Sequence, residues 1–213
     1  LPFQRNLAIR CTLRAIYSDG RLGLVGLVAL HVVDCDRATR SFVIVAIVGT
    51  ECTGKTSLCN ALAQHYCGDW LPEYAREYFV VRPQKRRNYT LQDLASIAAT
   101  QLCREQQFLA DRSTLRILDT DAVVLYVWWL DKFGQPATWL EEHLQTIKNR
   151  YYLLTVPDLP WEADDLRESQ HDRARLHTLY VRTLDDFGSP YTEIEGLGSA
   201  RLDRAIEVLD ALT

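Results

Sequence analysis

Residues 43–56 read Val-Ile-Val-Ala-Ile-Val-Gly-Thr-Glu-Cys-Thr-Gly-Lys-Thr, and this stretch limits the fold more than any other. Six apolar, mostly β-branched residues run into a Gly-x-x-x-x-Gly-Lys-Thr loop, and a helical pattern begins at once behind it. A buried strand, a glycine-framed loop and a helix N-terminus together make a phosphate cradle. Gly49 and Gly54 let the main chain turn tightly, so that the amides of Thr50, Glu51, Cys52, Thr53, Gly54, Lys55, Thr56 and Ser57 can face phosphate oxygens. Lys55 places an ammonium near the β and γ phosphates, and the Thr56 hydroxyl is a ligand for Mg²⁺. The helix opening at Lys55 adds its positive end. A glycine loop that merely joins strand to helix would need neither the Lys nor the Thr. The stretch therefore implies a site for a nucleoside triphosphate.

Downstream of Phe42, strands and helices alternate. Apolar strands are predicted at 42–48, around 69–73, at 115–121, at 151–156 and at 191–195. Helices are predicted at Lys55–Tyr66, from Thr90 to about Arg112, at Ala122–Phe133 with a stop at Gly134, from Pro136, near 171–187, and from Ser199. Thr90-Leu91-Gln92-Asp93 has the form of a capping box. The buried stripe of that helix is expected to carry Leu94, Ile97, Ala98, Leu102 and Leu109. On the first helix the buried face is expected to carry Leu58, Ala61, Leu62 and His65. Near-continuous apolar strands separated by helices predict an α/β fold, a doubly wound parallel sheet of about five strands.

The 213 residues suffice for one domain of generous size with a core that needs no disulfide. A formal net charge of −4 argues against a nucleic-acid partner. The one dense basic run, Lys85-Arg86-Arg87, reads first as a solvated loop and second as a lure for an anionic ligand. Six cysteines without a Cys-x-x-Cys pair read as free thiols of a reducing cytoplasm, not as a zinc site. Cys52, beside a helix N-terminus, is where a thiol could brake nucleotide binding on oxidation.

Residues 1–41 carry no assignable chemistry. Their apolar run Leu22–Val33 is too short for a bilayer, which needs about 20 residues, and no small-residue cleavage site follows. No membrane partner is expected. Two readings of this extension stand open: the remnant of an upstream domain, or a segment outside the functional unit. The functional domain is expected at 42–213.

Asp119 ends a strand in the place where a phosphate-loop enzyme keeps its magnesium-directed carboxylate, so Thr56 and Asp119 are the expected metal residues. Asp121 divides evenly between the cap of the next helix and a ligand for a substrate hydroxyl. Glu73 is the first choice for the carboxylate that orients and deprotonates an accepting hydroxyl, with Asp121 second. A surface pair with Arg76 is an equal reading for Glu73. Arg76, Arg167, Arg173 and Arg175 are candidates to steady a transferring phosphoryl, a task worth roughly 10³–10⁵ in rate. Trp161–Arg167 has the polar, Pro-flanked character of a lid. There is no Asn-Lys-x-Asp motif for guanine, which disfavours a GTPase.

Taken together, the loop, Pro72-Glu73-Tyr74-Ala75-Arg76-Glu77-Tyr78, Leu118-Asp119-Thr120-Asp121 with its aromatic helix, and Pro160-Trp161-Glu162-Ala163-Asp164-Asp165-Leu166-Arg167 resemble the ribosylnicotinamide kinase domain of the NadR type. The likeness covers residues 43 to about 212. It implies ATP- and Mg²⁺-dependent phosphorylation of the 5′-hydroxyl of nicotinamide riboside, a small-molecule substrate, to give nicotinamide mononucleotide for NAD synthesis. It also implies that Trp161–Arg167 is the lid. Such proteins often carry an adenylyltransferase domain ahead of the kinase, for which the 41 preceding residues are too few. An aromatic stacked on the pyridinium is expected, with Trp70, Tyr74, Tyr89 and Tyr126 as candidates. The competing readings are a kinase of another nucleoside or metabolite and a non-catalytic ATP sensor.

Overall fold

The computed structural model describes residues 43–86, 88–110, 115–163 and 167–212. The expectations for residues 1–41, Arg87 and Asp164–Leu166 lie outside these. The run 43–48 pairs on both sides, as its apolar character demands, and forms the central strand β1 (Ile44–Gly49), buried at every position. In chain order follow α1 (Lys55–His65), β2 (Asp69–Leu71), α2 (Tyr74–Val81), α3 (Leu91–Phe108), β3 (Arg116–Asp119), α4 (Ala122–Phe133), α5 (Thr138–Thr146), β4 (Arg150–Thr155), α6 (Arg173–Asp186), β5 (Tyr191–Ile194) and α7 (Ser199–Ala211).

The five strands lie in the order β2-β3-β1-β4-β5, and every neighbouring pair is parallel. Alternate residues of β1 feed two cores, as a period of two requires. Ile44, Ala46 and Val48 join the side chains of α3, α4, α5 and α6, while Val45 and Ile47 join Leu58, Cys59, Leu62, Ala205 and Leu209 of α1 and α7. Both faces are covered, the doubly wound α/β arrangement that the sequence predicts. The order reverses at β1, between β3 and β4, which opens a crevice at the strands' carboxyl ends, the usual ligand site of such sheets.

Local signals set most helix limits. Thr90 and Asp93 form the capping box of α3, and Gly134, at φ 66°, ends α4. Four details differ from the sequence reading. The octet Tyr74–Val81 is helical, though no side chain caps its start. Helix α3 stops at Phe108 with Leu109 as its cap. Its buried stripe also includes Gln101 and Glu105, with Leu102 and Leu109 only partly covered. On α1 the buried residues are Leu58, Cys59, Leu62 and Ala63, and His65 is exposed. Among the described residues, no helix is long and apolar enough to cross a membrane.

Candidate active site

The loop between β1 and α1 sits at the mouth of the crevice. Gly49 has φ 137°, and a Cβ there would fall on the Thr155 hydroxyl and 2.8 Å from the Thr155 carbonyl oxygen. The glycine thus serves close packing against β4 as well as approach to a ligand. Lys55 Nζ donates to the carbonyls of Gly49 at 3.0 Å and Thr50 at 2.8 Å, folded over the loop it belongs to. Thr53 Oγ1 donates to Thr50 O at 2.8 Å and lies 2.6 Å from Thr155 Oγ1. These bonds tie the loop to itself and to the end of β4.

Thr56 Oγ1 donates to Asp119 Oδ2 at 2.6 Å, and Asp119 is 2% exposed. Its second oxygen, Oδ1, is buried without a hydrogen-bond partner. A buried lone carboxylate oxygen beside a hydroxyl is an unfinished arrangement that a hard cation would complete, so these residues fit Mg²⁺. Among the described residues, no group of three His, Cys, Asp or Glu side chains could hold a metal by itself. The phosphates of a nucleotide would have to supply the remaining ligands. Burial raises the Asp119 carboxyl above its ordinary range, against the Thr56 hydrogen bond and the charges of Lys55 and Arg76.

Glu73 follows β2 and stands at the N-terminus of α2 with no side-chain cap bond, so its carboxylate is left to face the cleft. Arg76 Nε lies 3.5 Å from Glu73 Oε2, so the pairing that was an equal reading of Glu73 exists, but inside the cleft. Burial is the main cause raising the Glu73 carboxyl; Lys55 opposes it and Asp119 adds to it. No local signal points to Gln101, which is 1% exposed. Its Oε1 accepts from Tyr74 N at 2.8 Å, and its Nε2 donates to Thr120 O at 3.4 Å. One amide thereby joins the residue after Glu73 to the residue after Asp119.

Asp121 does not face the cleft, and its substrate-ligand reading is corrected. It is fully buried, caps α4 by accepting from Val123 N at 2.9 Å, and takes a hydrogen bond from Arg150 Nη1 at 2.7 Å. Glu105 accepts from Arg150 Nη2 at 2.5 Å. The buried guanidinium fixes Asp121 at the base of α4. Sequence reasoning missed this because both of its partners come from distant elements.

A model of the AAA domain matches residues 44–201, which is most of the chain. The chain belongs to the AAA-domain family. Solved structures that share the fold include a NadR protein in complex with NAD and AMP-PNP, at TM-score 0.69 and 21% identity, over 84% of this chain and 52% of that one. A NadR protein in complex with NR matches at TM-score 0.69 and 20% identity, over 84% of this chain and 54% of that one. Thymidylate kinase from Candida albicans matches at TM-score 0.60 and 14% identity, over 80% of this chain and 92% of that one. This chain spans about half the length of the NadR chains it matches.

In this AAA domain the cleft encloses about 670 Å³. The phosphate loop, Glu73 and Arg76 form one part of its lining, and Phe79, Tyr89 and Trp128 bring aromatic surface to another. Of the four aromatics named from the sequence, Tyr89 alone lines the cleft. Trp70 packs under α1 and α7, while Tyr74 and Tyr126 pack with the other core. Trp128, hidden in an apolar helix that reads as core throughout, donates from Nε1 to Tyr89 Oη at 2.8 Å. Their rings stand edge to face, 5.2 Å apart. Lys132 Nζ and Glu168 Oε2 pair at 2.9 Å beside them.

Arg167 also lines the cleft, donating to Glu162 O at 2.5 Å. Arg173 and Arg175 are committed elsewhere, the first to Leu159 O at 2.8 Å and the second to Asp131 at 2.6 Å and Asp172 at 3.0 Å. The phosphate loop touches this segment twice. Glu51 Oε2 accepts from Glu168 N and Ser169 N, both at 2.9 Å, and Cys52 Sγ donates to Glu162 O at 3.2 Å. Burial raises the Glu51 carboxyl, with those two amides pulling the other way.

Proposed function

We propose that this AAA-domain protein is an ATP- and Mg²⁺-dependent kinase that phosphorylates the 5′-hydroxyl of nicotinamide riboside to nicotinamide mononucleotide. The observation that carries the reading is the joint lining of one cleft by a phosphate loop, the Glu73–Arg76 pair and an aromatic wall. ATP phosphates would occupy the ring of amides from Thr50 to Thr56, with Lys55 leaving its two carbonyls to meet them. Thr56 and Asp119 would hold Mg²⁺, which would offset charge on the transferring phosphoryl.

Glu73 is suited to orient the ribose 5′-hydroxyl and take its proton, because burial makes it a stronger base than an ordinary glutamate. Arg76 and Arg167 bring positive charge to the same space, where negative charge spreads over the phosphoryl oxygens. Trp128 offers electron-rich surface to a cationic pyridinium, while the Lys132 ammonium, paired with Glu168, already lies 4.6 Å from the centre of the Tyr89 ring. A NadR protein of the same fold in complex with NR supports this choice of acceptor.

A coupled kinase assay over nicotinamide riboside and the ordinary nucleosides tests the reading, with Lys55→Ala as the control. The expected result is product from nicotinamide riboside well above the other acceptors, and none from the variant. Preferred turnover of another nucleoside would overturn the acceptor. ATP binding without product from any acceptor would favour a nucleotide sensor.

A further inference from the structure

Arg201, in the first turn of α7, is 5% exposed, and all its donors are used. Nε donates to Gly196 O at 2.9 Å. Nη1 donates to Thr53 O at 3.0 Å and to Ile194 O at 3.2 Å. Nη2 donates to Val156 O at 3.4 Å and pairs with Asp158 Oδ1. A guanidinium has five N–H donors in a rigid planar fork, and here they meet five acceptors. Four of these are main-chain carbonyls at the ends of β4 and β5, in the loop after β5, and in the phosphate loop.

The bond to Thr53 O has a consequence on the opposite side of that peptide. A trans peptide is planar, with its C=O and N–H pointing in opposite directions. Pinning the Thr53 carbonyl toward α7 therefore turns the Gly54 N–H away from α7. Gly54 lines the cleft. Its φ of 75° lies in a region that glycine enters and leaves at little cost, so sterics at residue 54 do not fix the orientation of this peptide. Thr53 Oγ1 anchors the side chain of the same residue to Thr155 but leaves the carbonyl to Arg201.

We propose that Arg201 is a positioning residue that locks the Thr53–Gly54 peptide with its amide facing the nucleotide phosphates. This deepens the kinase reading and rests on it. The pocket is thereby organised before ligand arrives, and no binding energy is spent on turning the loop. Lysine keeps the charge but not the fork, so Arg201→Lys cannot hold Thr53, Ile194, Val156 and Gly196 together.

The test is calorimetric titration of Mg·ATP into wild type, Arg201→Lys and Tyr66→Phe, with kcat, both KM values and Tm for each. Tyr66 Oη donates to Asp210 Oδ1 at 2.8 Å and lies 3.3 Å from Ile206 O, so Tyr66→Phe loosens α7 at its far end. Loss of one main-chain donor to a charged phosphate corresponds to a roughly 10- to 100-fold weaker Kd for Mg·ATP. Arg201→Lys should show that loss and a raised KM for ATP, with the KM of the acceptor within about twofold. Tyr66→Phe should lower Tm and leave the Kd for ATP unchanged.

Equal ATP affinity in Arg201→Lys and wild type overturns the role of Arg201 while leaving the kinase reading intact. An equal loss in Tyr66→Phe overturns it too, by reducing the effect to general loosening of α7. Wild-type protein that binds no Mg·ATP overturns the kinase reading and this assignment together. If Arg201→Lys does not fold, Asp158→Ala decides. By freeing one prong of the fork it should weaken Mg·ATP several-fold, and unchanged affinity overturns the proposal.

Discussion

Replacing Arg150 by methionine removes one cation from between two buried carboxylates. The side chain of Arg150 is 4% exposed, that of Asp121 0% and that of Glu105 6%. Taking away one partner of such a group leaves buried charge uncompensated, which costs about 3–5 kcal/mol. A domain of this size loses about 2–4 °C in Tm per kcal/mol, so the fall should be about 6–20 °C. Set against a typical net stability of about 5–15 kcal/mol, the variant is marginal.

Burial already raises Glu105, and Arg150 is a main opposing influence. Without the guanidinium the folded-state pKa of Glu105 moves further above its unfolded value of roughly 4. Stability tied to a raised carboxyl is present below the unfolded pKa and lost as pH rises through the folded one. The deficit of Arg150→Met should therefore be larger at pH 8 than at pH 5, measured by thermal unfolding at each pH. Asp121→Asn should likewise lower Tm, while turnover per folded molecule at low temperature stays within a few-fold of wild type. A small Tm change in Arg150→Met at pH 8 would refute the electrostatic argument. A normal Tm with turnover down 100-fold in Asp121→Asn would return Asp121 to the reaction.

Gly49→Ala should abolish Mg·ATP binding and lower stability, since positive φ and a clash with Thr155 together cost roughly 2–6 kcal/mol; near-normal titration would contradict the packing at β4. In wild type, the acid limb of kcat against pH should lie above the ordinary glutamate range because burial raises Glu73, and Glu73→Gln should remove that limb along with most of the rate. Asp93 is held well below the ordinary carboxylate range by Tyr78, Thr90 and Lys85, so its contribution is complete above pH 4 and is lost as pH falls below it; Asp93→Asn should show a flatter acid-side stability profile.

The sheet was legible because β-branched runs and glycine stops are local signals, and the loop because its spacing encodes a geometry. Helix α2 was not legible: its start lacks a capping side chain, and its eight residues are too few for a clear period, although Pro83 follows its end. Gln101 and Glu105 sit on a stripe that looks apolar at positions 94, 97 and 98, and their partners Tyr74, Thr120 and Arg150 lie far away in sequence. Trp128 escaped for a related reason. An almost wholly apolar helix gives no periodicity to distinguish the face that meets a cleft from the face that meets the core. Arg201 was equally silent, because its acceptors are carbonyls that only the folded sheet ends bring together.

A crystal grown with saturating Mg·AMP-PNP shows whether the amides of residues 50–56 and the Lys55 ammonium grip a triphosphate. The β and γ phosphates should lie inside the loop, with Lys55 swung off the Gly49 and Thr50 carbonyls to meet them and the metal on Thr56 and Asp119. A nucleotide bound elsewhere, or an empty loop with Lys55 still on those two carbonyls, would contradict that grip.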